Sequence, residues 1–144
     1  MKDSLNIAIA GATGYVGLEL IKILSNHPKA KIVYLCASKS IGKPITYFDK
    51  KIKKKNLPKI TKINNIEWNN IDIIFTALPN GEAQIISKKL NKNNILIDLS
   101  GDFRLKNSND YLKWYKKKHK AIENIKNSIY LLPELSKSKL NNYQ

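Results

Sequence analysis

Residues 5–17, Leu-Asn-Ile-Ala-Ile-Ala-Gly-Ala-Thr-Gly-Tyr-Val-Gly, constrain the fold more than any other stretch of this chain. Leu5 to Ala10 is apolar and β-branched enough for a buried strand, and Gly11, Ala12 and Thr13 form a turn. From Gly14 onward the pattern is helical, with Val16, Leu20, Ile23 and Leu24 expected on one face at the 3.6-residue period. A strand that turns through glycines into a helix makes a pyrophosphate site. Gly11 permits the tight turn, Gly14 lets a phosphate approach the backbone, and Gly17 lets the helix pack close to the strand. The spacing is GxxGxxG, one residue longer than the GxGxxG fingerprint, but it has the strand before it and the amphipathic helix after it that the motif requires. The competing reading is an ordinary βα turn that happens to be glycine-rich.

The chain has 144 residues, one domain's worth, enough to bury about two-thirds of its unfolded surface. No window approaches the roughly 18 apolar residues of a membrane span, and the N-terminus leads straight into a strand without a signal-peptide pattern. Cys36 is the only cysteine, which excludes a disulfide framework and points to a reducing, cytoplasmic compartment. The net charge of +15 invites a nucleic-acid reading. Against it, all but one of the 26 basic residues are lysines in a chain crowded with Asn and Ile, the residues of AT-rich codons. The lysines are scattered apart from 50–55 and 116–120, with no aromatic RNA-binding signature and no recognition helix. Neither nucleic acid nor membrane is expected as a partner, and no metal-ligand set is read.

Further along, a helix is expected from about Gly14 to Asn26, a second buried strand at Ile32–Ala37, and a polar loop at 38–44. Residues 45–65 look like a lysine-rich surface excursion, and Ile66–Trp68 like a short strand. Ile71–Ala77 is a clear strand, followed by the turn Leu78-Pro79-Asn80-Gly81 and a helix from Glu82 to Leu90 with Ala83, Ile86 and Leu90 inward. Ile95–Leu99 is a strand, 100–104 a loop, Asn107 to about Lys118 a helix, and Ile129–Leu132 a last strand. Strands alternating with helices mean βαβ units and an α/β fold, a Rossmann-like doubly wound parallel sheet. In such sheets ligands lie beyond the strand C-termini at the switch point. That gathers the loops 11–17, 38–43 and 78–81, with 100–104 nearby. The cofactor-binding set is therefore Gly11, Ala12, Thr13, Gly14, Tyr15, Val16, Gly17, Ser38, Lys39, Ser40, Ala77, Leu78, Pro79, Ser100 and Gly101.

NAD recognition calls for an acidic side chain at the end of the second strand, about 20 residues past the glycines. Here that place holds Ser38, Lys39 and Ser40, with Lys43 behind, and no acid. A hydroxyl and an ammonium suit a 2′-phosphate, so NADP(H) is expected, against the alternative that Lys39 is one more solvated lysine. Arg104 is the sole arginine. A coding bias toward Lys leaves an arginine where a planar two-pronged donor is needed for a phosphate or carboxylate, or for a structural pair with Asp98, Asp102 or Asp110. Cys36 reads as a small core residue, His27 as a helix-end residue and His119, among lysines, as solvated. Trp114 and Tyr115 are expected in the core. Asp98 ends a strand and can orient the loop after it.

Several of these stretches together resemble the N-terminal part of the N-acetyl-γ-glutamyl-phosphate reductase family. They are Gly-Ala-Thr-Gly-Tyr-Val-Gly (11–17), Gly-Lys-Pro (42–44), Ala-Leu-Pro-Asn-Gly (77–81), Ile-Asp-Leu-Ser-Gly-Asp-Phe-Arg-Leu (97–105), Trp-Tyr-x-x-x-His (114–119) and Tyr-x-Leu-Pro-Glu-Leu (130–135). The first is shared with aspartate-semialdehyde dehydrogenases. The Asp-Leu-Ser-Gly-Asp-Phe-Arg and Leu-Pro-Glu-Leu runs are more specific to the reductases. Leu131, where the family usually has Gly, and the lysines 116–118 are departures.

The resemblance implies NADPH-dependent reductive dephosphorylation of N-acetyl-glutamyl 5-phosphate to the 5-semialdehyde, a step of arginine biosynthesis, by an enzyme that is a homo-oligomer. It implies a thiolate that attacks the acyl carbon, loss of phosphate, and hydride reduction of the thioester. Arg104 would bind the phosphate of this small-molecule acyl phosphate. Family members are more than twice this length and carry their nucleophile in an Asn-Pro-Gly-Cys motif past the Leu-Pro-Glu-Leu run, with a histidine acid/base in a second, α+β domain. Residues 1–144 are thus expected to be the cofactor-binding part, truncated before the catalytic domain, without a catalytic residue of its own and inactive alone. An aspartate-semialdehyde dehydrogenase fragment, a stand-alone non-catalytic NADP-binding module, and a nucleotide-sugar or redox-sensing Rossmann domain are the other readings.

Overall fold

The computed structural model describes residues 3–53, 56–132 and 134. Pro133 and Leu135 of the Leu-Pro-Glu-Leu run, and Lys54 and Lys55 of the first lysine run, lie outside the described residues. Among the described residues five parallel strands form one sheet in the order β3-β2-β1-β4-β5, with β1 Leu5–Ala10, β2 Ala30–Cys36, β3 Ile60–Thr61, β4 Ile73–Thr76 and β5 Ile95–Asp98. Helix α1 (Tyr15–Ser25) joins β1 to β2, and α2 (Glu82–Ser87) joins β4 to β5. Helices α3 (Ser108–Tyr115) and α4 (Ile122–Ile125) follow the sheet.

The alternation along β1 builds both layers, since successive residues face opposite sides of a sheet. Ile7 and Ile9 point into a core with Ile21 of α1 and with Ile32 and Leu35 of β2. Ala8 and Ala10 point into the other core, with Cys36, Ile71, Ile74 and Ile86 of α2. The sheet is therefore covered on both faces, the doubly wound arrangement that the strand–helix alternation predicts.

Departures from the sequence reading are local. The buried stripe of α1 is Gly17, Ile21 and Ser25, whereas Val16 is 52% and Ile23 65% exposed. Of the predicted face Leu20 and Leu24 do pack against the α1-side core, and Gly17 is buried because it touches the glycine turn. The 45–65 segment is no surface excursion: Ile45, Ile52 and Ile60 are buried in the α1-side core, and Ile60–Thr61 forms the third strand. Ile66–Trp68 is not a strand. Ile66 is buried against the α2-side core, while Trp68–Asn70 coils into a 3₁₀ turn. Ile129–Leu132 joins no ladder. It is met by a side chain instead, with the Arg104 guanidinium 5.5 Å from the Tyr130 ring centroid. Trp114 is 70% exposed, not core.

Candidate functional site

The order β3-β2-β1-β4-β5 reverses direction at β1, so the crevice beyond the ends of β1 and β4 is the switch point. At that edge the N–H groups of Gly11 and Ala12 donate to the Cys36 carbonyl at 2.9 and 3.0 Å, and Ala77 N–H donates to the Ala10 carbonyl at 2.9 Å. Gly11 has φ +88°, where a side chain is strained, and an added Cβ would collide with the Ala77 carbonyl. Gly17 is helical, but a Cβ there would collide with the Gly11 carbonyl and lie 2.9 Å from Ala12 Cα. Gly14 differs: a Cβ would find only the Gly11 oxygen, at 3.5 Å, an ordinary contact. Two of the three glycines are required by the protein's own packing. The third leaves open space in front of the first turn of α1.

That first turn offers backbone N–H groups that have no acceptor within the helix. Gly14 is the N-cap with φ −81° and ψ 165°, no side chain caps the helix, and no acid lies in its first turn. Tyr15 (93%) and Val16 (52%) stand exposed beside the opening, while Ala12 is buried and Thr13 half-buried. Helix α2 begins differently. Both carboxylate oxygens of Asp102 accept from Gly81 N–H, at 2.8 and 2.9 Å. The protein thus fills the start of α2 with its own anion and leaves the start of α1 free. Open space at Gly14 and uncapped donors behind it fit the pyrophosphate of a dinucleotide.

Beyond β2 the chain folds back on β3. Ala37 N–H donates to Thr61 O (3.1 Å), Gly42 N–H to Ile60 O (2.7 Å), and Ile60 N–H to Lys43 O (3.0 Å). Ser40 at φ +61° and Gly42 at φ +82° shape the turn. Ser38 and Lys39 are exposed and Ser40 half-buried. Lys43 Nζ sits 3.9 Å from the Tyr47 ring centroid. No acid occupies residues 37–44, and the next one, Asp49, is held by Lys22 Nζ at 2.8 Å and by Lys51 N–H at 2.8 Å. These bonds lower the Asp49 carboxyl below its ordinary value, the Lys22 bond most.

Across the crevice, Ala77, Leu78 and Pro79 leave β4 partly exposed, and an added Cβ on Gly11 would lie 3.3 Å from Leu78 Cδ2. Asp98 at the end of β5 orients the next loop, accepting from Ser100 N–H (3.0 Å), Ser100 Oγ (2.9 Å) and Thr76 Oγ1 (2.8 Å). Gly101 N–H donates to Asn80 Oδ1 at 3.3 Å, which ties the 100–104 loop to the β4 turn. Gly101 itself is covered, since a Cβ would collide with the Tyr115 hydroxyl. Arg104 is exposed and, among the described residues, pairs with no carboxylate, Asp98, Asp102 and Asp110 included. The structure thus brings all four predicted loops to one edge of the sheet.

His119 is not solvated. It is 5% exposed, with Ala121 N–H donating to Nδ1 (3.1 Å), so the ring proton resides on Nε2, which donates to the Asp102 carbonyl at 2.9 Å. Gln84, which the sequence reading passes over, is 1% exposed and bridges Asp102 Oδ1 and Lys120 N–H. Its signal was a long amide on the same buried helix face as Ala83. His27 lies just past α1 and accepts from Lys29 N–H. Cys36 is 2% exposed, and burial pushes its thiol up to about 12. In the folded chain the thiol should therefore resist Ellman's reagent at mildly alkaline pH and react fully once denaturant is added. Because folding favours the neutral thiol, its contribution is intact below the ordinary thiol value of 9.0 and is lost as pH rises toward 12. Prompt labelling of the native chain would contradict this placement.

Residues 6–143 match the family model described as semialdehyde dehydrogenase, NAD-binding domain. The chain belongs to this family. Among curated relatives it is similar to N-acetyl-gamma-glutamyl-phosphate reductase of Ehrlichia ruminantium, 39% identical over 94% of this chain and 39% of the relative. The namesake of Vesicomyosocius okutanii is 42% identical, over 96% of this chain and 41% of the relative. The chain therefore spans about two-fifths of the length of these relatives, 39% and 41%. Among solved structures it resembles aspartate semialdehyde dehydrogenase II of Vibrio cholerae, with a TM-score of 0.62 at 18% identity over 97% of this chain and 36% of that one. It also resembles the Candida albicans aspartate semialdehyde dehydrogenase solved with NADP, with a TM-score of 0.53 at 19% identity over 73% of this chain and 32% of that one. These two likenesses show the fold. No helix among the described residues is long and apolar enough to cross a membrane.

Proposed function

We infer that the chain is the cofactor-binding part of a cytoplasmic N-acetyl-γ-glutamyl-phosphate reductase, and that the cofactor is NADPH. The observation that carries the binding role is the space at Gly14 before an uncapped α1. The relatives' names supply a reductase of N-acetyl-γ-glutamyl phosphate, and the resemblance in the motifs implies its reductive dephosphorylation to the 5-semialdehyde. In this reading the N–H groups of Tyr15, Val16 and Gly17 hold the pyrophosphate. Ser38, Lys39 and Ser40 meet the 2′-phosphate, whose dianion an acid at that place would repel. Ala77, Leu78, Pro79 and Ser100 line the far side of the crevice, with Gly101 buried behind them against Tyr115. NADPH, when bound, supplies a hydride.

Arg104, exposed and paired with no carboxylate among the described residues, is the phosphate ligand for the acyl phosphate. The nucleophile is not among these residues. Cys36 is the only thiol, and it is buried in β2 with its proton firmly held. The reaction needs a thiol from the length of the relatives that this chain does not span, so residues 1–144 bind cofactor and reduce nothing alone.

The test is a fluorescence titration of the chain with NADPH and with NADH. NADPH should bind more tightly, and Lys39→Glu should weaken it by about 1–3 kcal/mol through loss of a charge-assisted contact, with NADH little changed. Equal affinities, or a preference for NADH, would sink the cofactor assignment.

A further inference from the structure

Asp102 lies two residues before Arg104, and every polar atom it has is engaged. Its side chain is fully buried. Among the described residues no lysine or arginine neutralises it, in a chain that carries 26 cations. Neutral donors hold the carboxylate instead: Gly81 N–H on both oxygens, and Gln84 Nε2 (3.0 Å) and the Tyr111 hydroxyl (2.7 Å) on Oδ1. Its N–H donates to Ser100 Oγ at 3.2 Å, and its carbonyl accepts from His119 Nε2. One residue thus ties together the start of α2, the interior of α2, helix α3 and the His119 turn.

Aromatic rings close over these bonds. Tyr111 stacks on Tyr115 at 4.8 Å and meets His119 edge-on at 4.9 Å, and Phe103 meets His119 at 5.4 Å. Burial, followed by the adjacent Asp102 carboxylate, pushes the Tyr111 phenol well above its ordinary range, so it remains a donor. Tyr115 and His119 of the Trp-Tyr-x-x-x-His run therefore lie against the loop that displays Arg104, while Trp114 stays exposed. Burying a carboxylate on neutral donors is costly unless each bond is made, and apolar side chains could fill the same volume more cheaply. What the network adds is rigidity in an otherwise exposed loop, which pre-orients a binding group.

We propose that Asp102, clamped by Gly81, Gln84, Tyr111 and His119, is the positioning residue that fixes Arg104 for an anionic phosphate group. The proposal rests on the reading of Arg104 given above. Because Arg104 is the only arginine, its side-chain Nε–H gives a single resonance in a ¹⁵N-labelled chain. Inorganic phosphate is titrated while that resonance is followed, and NADPH affinity is measured in parallel by fluorescence. In the wild-type chain the resonance should move saturably. Asp102→Asn should weaken phosphate at least about tenfold while NADPH affinity stays within twofold. Tyr111→Phe, which keeps the ring and removes one donor, should weaken phosphate about three- to fivefold, and it serves as the probe if Asp102→Asn does not fold. A wild-type resonance that ignores phosphate overturns the Arg104 reading and the proposal with it. A responsive wild type with unchanged phosphate affinity in the variants overturns the positioning role alone, as does a parallel loss of phosphate and NADPH binding, the mark of general damage.

Discussion

Gly14→Val is expected to abolish binding of NADPH and NADH while the chain still folds. The backbone at Gly14, φ −81° and ψ 165°, suits a β-branched residue, and the nearest atom to its Cβ would be the Gly11 oxygen at 3.5 Å. Valine is a poorer N-cap than glycine, which should cost about 1 kcal/mol and lower the melting temperature by a few degrees. Its methyl groups, however, would occupy the volume before the first turn of α1, where the pyrophosphate must come close. Fluorescence titration and a thermal melt on the same sample separate the two effects. A valine variant that still bound either cofactor would place the phosphates elsewhere.

Gly17→Ala should do the opposite damage. Its Cβ would be pressed into the Gly11 carbonyl and lie 2.9 Å from Ala12 Cα, and neither atom belongs to a flexible side chain that could step aside. Overpacking of a fixed core costs about 1–3 kcal/mol, and a backbone collision belongs at or above the upper end. Against a total stability of roughly 5–15 kcal/mol, the variant should melt about 10 °C or more below wild type, or fail to accumulate folded. Cofactor binding would be lost with the fold and recovered in proportion to the folded fraction. Coincident melts for Gly17→Ala and wild type would refute the close approach of α1 to the glycine turn.

The contrast between these glycines shows where sequence was a good guide. The β1–turn–α1 unit is encoded by neighbours within a few residues, so Leu5–Ala10 could be read directly as a strand and the steric need for Gly17 followed from local geometry, whereas the Ala77 carbonyl that Gly11 makes room for comes from a distant strand end. Strands β4 and β5 were legible for the same reason, as short apolar runs bounded by turns. His119 was not legible, because its lysine neighbours suggest solvent while its partners, the Asp102 carbonyl and the Ala121 amide, depend on tertiary packing. Ile45 and Ile52 were hidden because loop and 3₁₀ geometry imposes no period on buried residues, and Ile60 because β3 is only two residues long. Trp114 misled in the other direction, since residue type alone favours burial. At the candidate site, residue types and their order were readable. The polar bonds that hold the 100–104 loop were not, because they join segments up to 21 residues apart.

The two edges of the sheet are unequal. On one side it closes on β3, only two residues long, with the 37–43 turn folded against it. On the other it ends on β5, four residues long, beside which no further strand lies among the described residues and whose Ile95 is 58% exposed. A short, wrapped edge is a poor template for another strand, whereas a longer apolar edge is a good one. The sheet thus has one direction of growth. Any strand added to it, from this chain's own sequence or from another molecule, gains more hydrogen bonds and covers more oily surface beside β5 than beside β3.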